Sequence, residues 1–278
     1  MTEPPFQFDE VGDWWVLKLD IIEQYGSAYT KAFNIRGRQL KKYYIDGFSG
    51  AGAHVVKRTR QQIEDSPARA LKITPPFDGF YFIDLNGDKT AYLQTLCEGR
   101  SDVQIINNDA NSYLRTLLPT IQYRRINRAL CVLDPYGLHL DWDIIELAGK
   151  SEAVDMFLNF PVMDMNRNAI WRKPERASPE GIEHMNRYWG DESWKQATYA
   201  KSKQAGFYFV DPDDEKQPNS AIVSAFRKRL HKVAGFEFVP DPLPMINSKN
   251  AVVYYLFFAS PKPVARNIIT DIFEKHRR

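Results

Sequence analysis

Five short runs, mostly apolar on both parities, set the architecture of this chain. Residues 43–46 (YYID), 79–84 (GFYFID), 103–107 (VQIIN), 129–134 (ALCVLD) and 153–160 (AVDMFLNF) are rich in branched and aromatic side chains. A strand with one wet face alternates apolar and polar residues. Strands apolar on both parities have both faces covered. Stretches of helical periodicity follow them, at 88–96, 110–118 and 142–148. Strand and helix in alternation predict a parallel, doubly wound sheet. The C-terminal third departs from this rhythm. Residues 220–233 read as a helix, 236–239 as a strand, and a Pro/Asp-rich turn (PDPLPMINSKN) leads to a strand at 251–260. Two strands without an intervening helix form an antiparallel pair at a sheet edge. The expected fold is α/β and Rossmann-like, with a seven-stranded, mostly parallel sheet, an antiparallel edge hairpin and a helical insertion.

Three regions are expected. Residues 1–40 form an N-terminal helical extension, with apolar spacing at Trp14, Leu17, Ile21 and Ile22. Residues 41–161 and 207–278 form the core, and 162–206 an insertion that serves as a substrate or partner lid. The insertion holds Trp171, Tyr188, Trp189, Trp194 and Tyr199, most of which are expected to pack. Trp171, between Arg167 and the pair Arg172 and Lys173, is the candidate for an exposed contact, with Arg172 beside it for substrate binding.

Composition narrows the classes. The chain has 278 residues, 44% hydrophobic and 26% charged, which is globular rather than disordered. Two cysteines, Cys97 and Cys131, exclude a disulfide framework and an all-cysteine zinc site. No apolar run reaches the roughly 20 residues of a membrane helix, and the first ten residues lack a secretory pattern. A reducing cytoplasmic setting, with no membrane partner and no metal, is the expectation. With 37 Lys+Arg against 35 Asp+Glu, net charge does not by itself announce nucleic acid. Basic clusters at Arg36, Arg38, Lys41 and Lys42, at Lys57, Arg58 and Arg60, and at Arg227, Lys228, Arg229 and Lys232 read first as solvated faces.

The chemistry gathers at strand ends. Asp46-Gly47-Phe48-Ser49-Gly50-Ala51-Gly52 follows the first strand, where glycines let backbone approach a ligand. An ordinary strand-to-helix turn has the same composition, but ligands bind at the carboxyl ends of parallel strands. Asp84 ends the second strand, placed to accept hydrogen bonds from two ribose hydroxyls. It lies 32 residues after Gly52, beyond the roughly 20 of the dinucleotide fingerprint, because a polar loop intervenes. Asp109, past the third strand, would meet an adenine amino group or cap the following helix. Asp134-Pro135-Tyr136-Gly137 ends the fourth strand. Its carboxylate and proline carbonyl can accept from an amino group, and its tyrosine can stack on a base. A Pro-Tyr-Gly turn is also common on its own. His54 and His139 follow these loops, where histidines are usually surface groups.

YYIDGFSGAGAH, SPARAL, FYFIDLN and VLDPYG, in that order, resemble the three-Cys-motif partner proteins. These bacterial proteins are similar to class I S-adenosylmethionine-dependent methyltransferases and are named for a genomic neighbour with a three-cysteine motif. The resemblance covers roughly residues 43–160. It implies an S-adenosylmethionine pocket shaped by Asp46, Gly47, Phe48, Ser49, Gly50 and Gly52, with Asp84 on the ribose and Asp109 by the adenine. Asp134, Pro135 and Tyr136 would hold the catalytic place of amino-methyltransferases, which usually carry two prolines before the aromatic residue, where this chain has one. A three-Cys-motif protein is the implied partner. N-methylation, with nucleic acid as leading acceptor, is the first expectation, and a non-catalytic or partner-dependent module the second. FSGAG also resembles the loop of cytosine-5 methyltransferases. Neither cysteine follows a proline, which argues against that chemistry.

Overall fold

The computed structural model describes residues 6–34, 40–200, 215–263 and 265–277. Arg36 and Arg38 of the first basic cluster, and the 201–206 end of the insertion, lie outside them. Seven strands form the main sheet: β1 (Lys41–Asp46), β2 (Gly79–Asp84), β3 (Val103–Asn107), β4 (Asn127–Leu133), β5 (Val154–Phe160), β6 (Leu243–Ile246) and β7 (Val252–Ala259). Their order is β3-β2-β1-β4-β5-β7-β6. The first five run parallel, and β7 is antiparallel to both β5 and β6. This is the strand order of the Rossmann-like class I methyltransferase fold.

The order explains where a ligand can sit. From β1 the chain winds outward through β2 to β3, then returns to the other side of β1 for β4 and β5. Loops leaving β1 and β4 therefore diverge and open a crevice between neighbouring strands.

Both faces of the sheet are covered, as the two-sided apolar runs require. In β4, Ala129, Cys131 and Leu133 join one core and Leu130 and Val132 the other. Against one face pack α3 (Ala110–Leu117), α4 (Trp142–Lys150), α6 (Pro179–Trp189) and α7 (Asn219–Lys232), through Leu114, Ile144, Met185 and Phe226. Against the other lie α1 (Asp13–Asn34), α2 (Gly87–Leu96) and α8 (Ala265–His276), through Ile21, Tyr25, Leu93 and Phe273. The short helix α5 (Val162–Asn168) follows β5 directly. Among the described residues no helix is long and apolar enough to cross a membrane.

One element falls elsewhere than expected. Residues 236–239 contribute only a bridge from Phe238 to Ser260. The sixth strand is instead Leu243–Ile246, inside the stretch read as a turn. Pro244 pairs opposite Tyr255 there. Proline is tolerated because the strand is at the edge, where an N–H facing solvent is not missed. A second small sheet is also absent from the sequence reading. Glu10–Val11 runs parallel to Ala53–Val56, which pairs with Gln62–Glu64.

The insertion rings Tyr188, Trp189 and Trp194 are buried, and Phe226 centres them, 4.5 Å from Phe160 and 5.9 Å from Tyr188 between ring centroids. The basic cluster of α7 is structural at two positions. Arg227 pairs with Asp241, and Arg229 donates to Asp191 at 2.8 Å while lying over the Trp142 ring.

Candidate active site

The glycine turn is stitched to both neighbours of β1. Gly47 N–H donates to the Val132 carbonyl (3.0 Å) and Ser49 N–H to that of Ile83 (2.9 Å). Gly50 N–H donates to Asp84 Oδ2 at 2.8 Å. Gly50 and Gly52 have φ of +63° and +81°, backbone that L side chains rarely adopt. A Cβ on Gly50 would also lie 3.2 Å from Asp65 Oδ2.

Two polar groups of this turn are buried without a partner. Asp46 is 1% exposed; its Oδ1 accepts weakly from Phe48 N–H (3.2 Å), and no donor stands in hydrogen-bonding geometry to Oδ2. Burial pushes its carboxyl up to about 7, with the charge of Asp65 adding to the rise and Ser66 opposing it. The Ser49 hydroxyl is likewise unpartnered. Buried polar atoms are nearly always satisfied, so such orphans are unusual and call for a structural or functional reason.

Asp84 accepts through one oxygen from Gly50 and through the other from Asn86 N–H (2.8 Å). Each oxygen keeps a second lone pair. Leu85, the next residue, is 74% exposed, an apolar side chain standing free at the strand end. Asp109 caps α3, accepting from Ser112 N–H at 2.8 Å and from its hydroxyl at 3.0 Å.

Asp134 is held from both sides. Its Oδ2 accepts from the Lys18 ammonium, and its Oδ1 from Asn159 Nδ2 at 2.6 Å. Lys18 comes from α1, is 3% exposed, and sits 3.1 Å from the centroid of the Trp15 ring. Tyr136 is exposed at the rim and donates to Asp9 Oδ2 (3.0 Å), which also accepts from Lys89 (2.6 Å). Burial works against ionisation of Asp9, but the ammonium and the phenol prevail and hold its carboxyl below the ordinary value.

Beside the turn lies a cavity of about 470 Å³, which Asp84, Leu85 and Asp109 do not line. Of the residues expected from sequence, Phe48, Gly50, Asp134, Pro135 and Tyr136 line it. Asp46, Ser49 and Asp84 stand buried just behind the turn. Gly47 packs on Leu133 and Gly52 near Leu93. Trp171 and Arg172 are exposed and are not among the lining residues; the Trp171 carbonyl accepts from Tyr199 (2.8 Å).

Sequence reasoning misses several lining residues. Trp14 and Trp15 read only as helix. His54, expected at the surface, is 3% exposed and faces Asp65 Oδ2 at 2.7 Å. Asn159, Asp164 and Tyr254 complete the floor. A polar residue near the end of an otherwise apolar run is the available signal for Asn159.

No family model matches this sequence, and no curated protein does. Solved structures overlay it weakly. A Legionella pneumophila protein described by the family designation DUF519 shares 12% identity at a TM-score of 0.48, over 93% of this chain and 92% of that one. An S-adenosylmethionine-dependent methyltransferase from Agrobacterium tumefaciens shares 9% at 0.40, over 91% of this chain and 64% of that one. The bifunctional kinase-methyltransferase WbdD shares 11% at 0.42, over 88% of this chain but only 39% of that one. The case for a ligand crevice rests on the chain's own geometry.

Proposed function

We propose that this chain is an S-adenosylmethionine-dependent methyltransferase acting on an amino group. One observation carries the reading. Asp134, at the end of β4, and Gly50 of the left-handed glycine turn line one cavity at the point where the strand order reverses, with Asp46 and Asp84, which end β1 and β2, buried behind that turn. The donor set fits the cofactor. Asp84 has lone pairs free for ribose hydroxyls, and Leu85 would cover the purine. Asp46, buried behind the glycine turn and with one oxygen out of hydrogen-bonding geometry, would gain from a positive charge bound nearby.

The cofactor supplies an activated methyl group on a positive sulfur, so the protein's work is positioning and desolvation. Asp134, fixed by Lys18 and Asn159, would orient the acceptor together with the Pro135 carbonyl. Tyr136 would close over it from the rim.

Nucleic acid as acceptor draws its support from the rim alone. Arg167 lines the cavity, and Arg172, Lys173 and Arg176 follow it exposed beside Trp171. The ion pair on Asp134 favours the second reading, a cofactor-binding module that acts with a partner protein.

Calorimetric titration of the full chain with S-adenosylmethionine and S-adenosylhomocysteine tests the proposal. Saturable binding is expected, lost in Gly50→Val and nearly unchanged in Asp134→Asn. Absence of binding to either nucleoside by the wild-type chain sinks it.

A further inference from the structure

We infer that the floor of this crevice is a subsite that binds a primary alkylammonium group, a binding that does not rest on the transfer proposed above. The chain already shows how such a group is held here. The Lys18 ammonium lies on Asp134 and over the Trp15 ring, and both of those residues line the cavity. A carboxylate on one side and an indole face on the other is a desolvated cation site.

Two further polar residues stand on the same floor. Asn159 is 8% exposed and must turn Nδ2 toward the Asp134 carboxylate, which leaves its Oδ1 with no donor. Tyr254 is 4% exposed, and its hydroxyl has no partner. Asn159 pairs with Leu256 across β5 and β7, so Tyr254 is its diagonal neighbour on the same face. Two buried atoms able to accept, on one face of the sheet and unsatisfied, suit a ligand rich in donors; an ammonium brings three.

Charge points the same way. Most carboxylates lining the cavity are already paired: Asp9 with Lys89, Glu10 with Arg60, Asp65 with His54 and Asp134 with Lys18. Asp164 is the exception, with no ion pair or hydrogen bond among the described residues. Its carboxylate presses on the turn after β4. A Cβ at Gly137, whose φ is +59°, would fall 2.5 Å from Asp164 Oδ2, so another residue there would be strained and would push that carboxylate aside. A neutral amine would leave the charge of Asp164 unmatched, while a phosphate would find its partner at the rim in Arg167, which also lines the cavity, and not at this floor. An alkylammonium neutralises Asp164 and supplies donors to Asn159 and Tyr254.

The test uses the full chain saturated with S-adenosylhomocysteine and titrated with n-butylammonium chloride, with deoxyadenosine monophosphate as the comparison ligand. Butylammonium is expected to bind. Asp164→Asn should weaken it by roughly tenfold or more, the worth of a charge-assisted contact. Tyr254→Phe should weaken it by a smaller factor. Affinity for S-adenosylhomocysteine should stay the same in both variants, which also reports that they fold. No binding of butylammonium, equal binding by wild type and Asp164→Asn, or binding of deoxyadenosine monophosphate alone overturns the inference. Asp164-dependent binding of butylammonium by a chain that does not take S-adenosylhomocysteine upholds the subsite and removes the methyltransferase reading.

Discussion

Replacing Asp46 by asparagine should make the protein more stable at alkaline pH and a poorer binder of the proposed cofactor. Asp46 is fully enclosed, and burial raises its carboxyl to about 7 even though the neighbouring Ser66 hydroxyl and the Phe48 N–H both favour its charged form. In the unfolded chain it titrates near the ordinary value of about 4. The sign follows from linkage. Below pH 4 both states are protonated and the group costs nothing. As pH rises from 4 to 7 the unfolded chain releases the proton while the folded one keeps it, so stability falls. Above 7 the loss is complete, about 4 kcal/mol at about 1.4 kcal/mol per pKa unit. The asparagine side chain would carry no charge, keep the acceptor for Phe48 N–H and recover about 2–4 kcal/mol at pH 8, but little at pH 4.5. Urea unfolding followed by circular dichroism at the two pH values reads both numbers. Part of the acid-side slope should survive in the variant, because buried Asp155, bonded to Tyr25 and Ser260 at 2.6 Å each, is also raised, to about 6. A variant destabilised at pH 8, or a gain independent of pH, would refute the reasoning that Asp46 is held at a cost for a ligand.

Two further outcomes follow from the same geometry. Lys18→Met strands the Asp134 charge in a largely buried site and should cost about 3–5 kcal/mol in denaturant unfolding, with most of it returned when Asp134→Asn is added. Leu85→Ala removes an exposed side chain, so stability should not move; affinity for S-adenosylhomocysteine should drop by about 1–2 kcal/mol if Leu85 covers the purine.

Much of the scaffold was legible because it depends on local pattern. Runs such as ALCVLD are apolar on both parities only if both faces are covered, and β4 divides its side chains between the two cores accordingly. The sixth strand was missed because prolines usually end strands, and an edge position lifts that penalty for Pro244. The site was legible where it lies on strand ends and hidden where it arises from distant segments. Nothing local to Lys18 announces Asp134, which lies 116 residues away. Its neighbours Leu17 and Ile21 mark it as part of an amphipathic helix, and only the packing of α1 beside β4 and β5 turns its ammonium toward the crevice. His54 reads as a loop residue until Glu10–Val11 pairs beside it and Asp65 closes from the other side. Asp164 reads as a first-turn helix acid, and its reach into the cavity depends on Gly137.

A crystal structure of the full chain grown with S-adenosylhomocysteine bears most directly on the central claim. Density for the nucleoside is expected across the ends of β1 and β2, with its ribose on Asp84, its purine against Leu85 and its sulfur toward the Asp134 turn. Nucleoside bound anywhere else on the molecule, with this crevice holding only solvent, would contradict it.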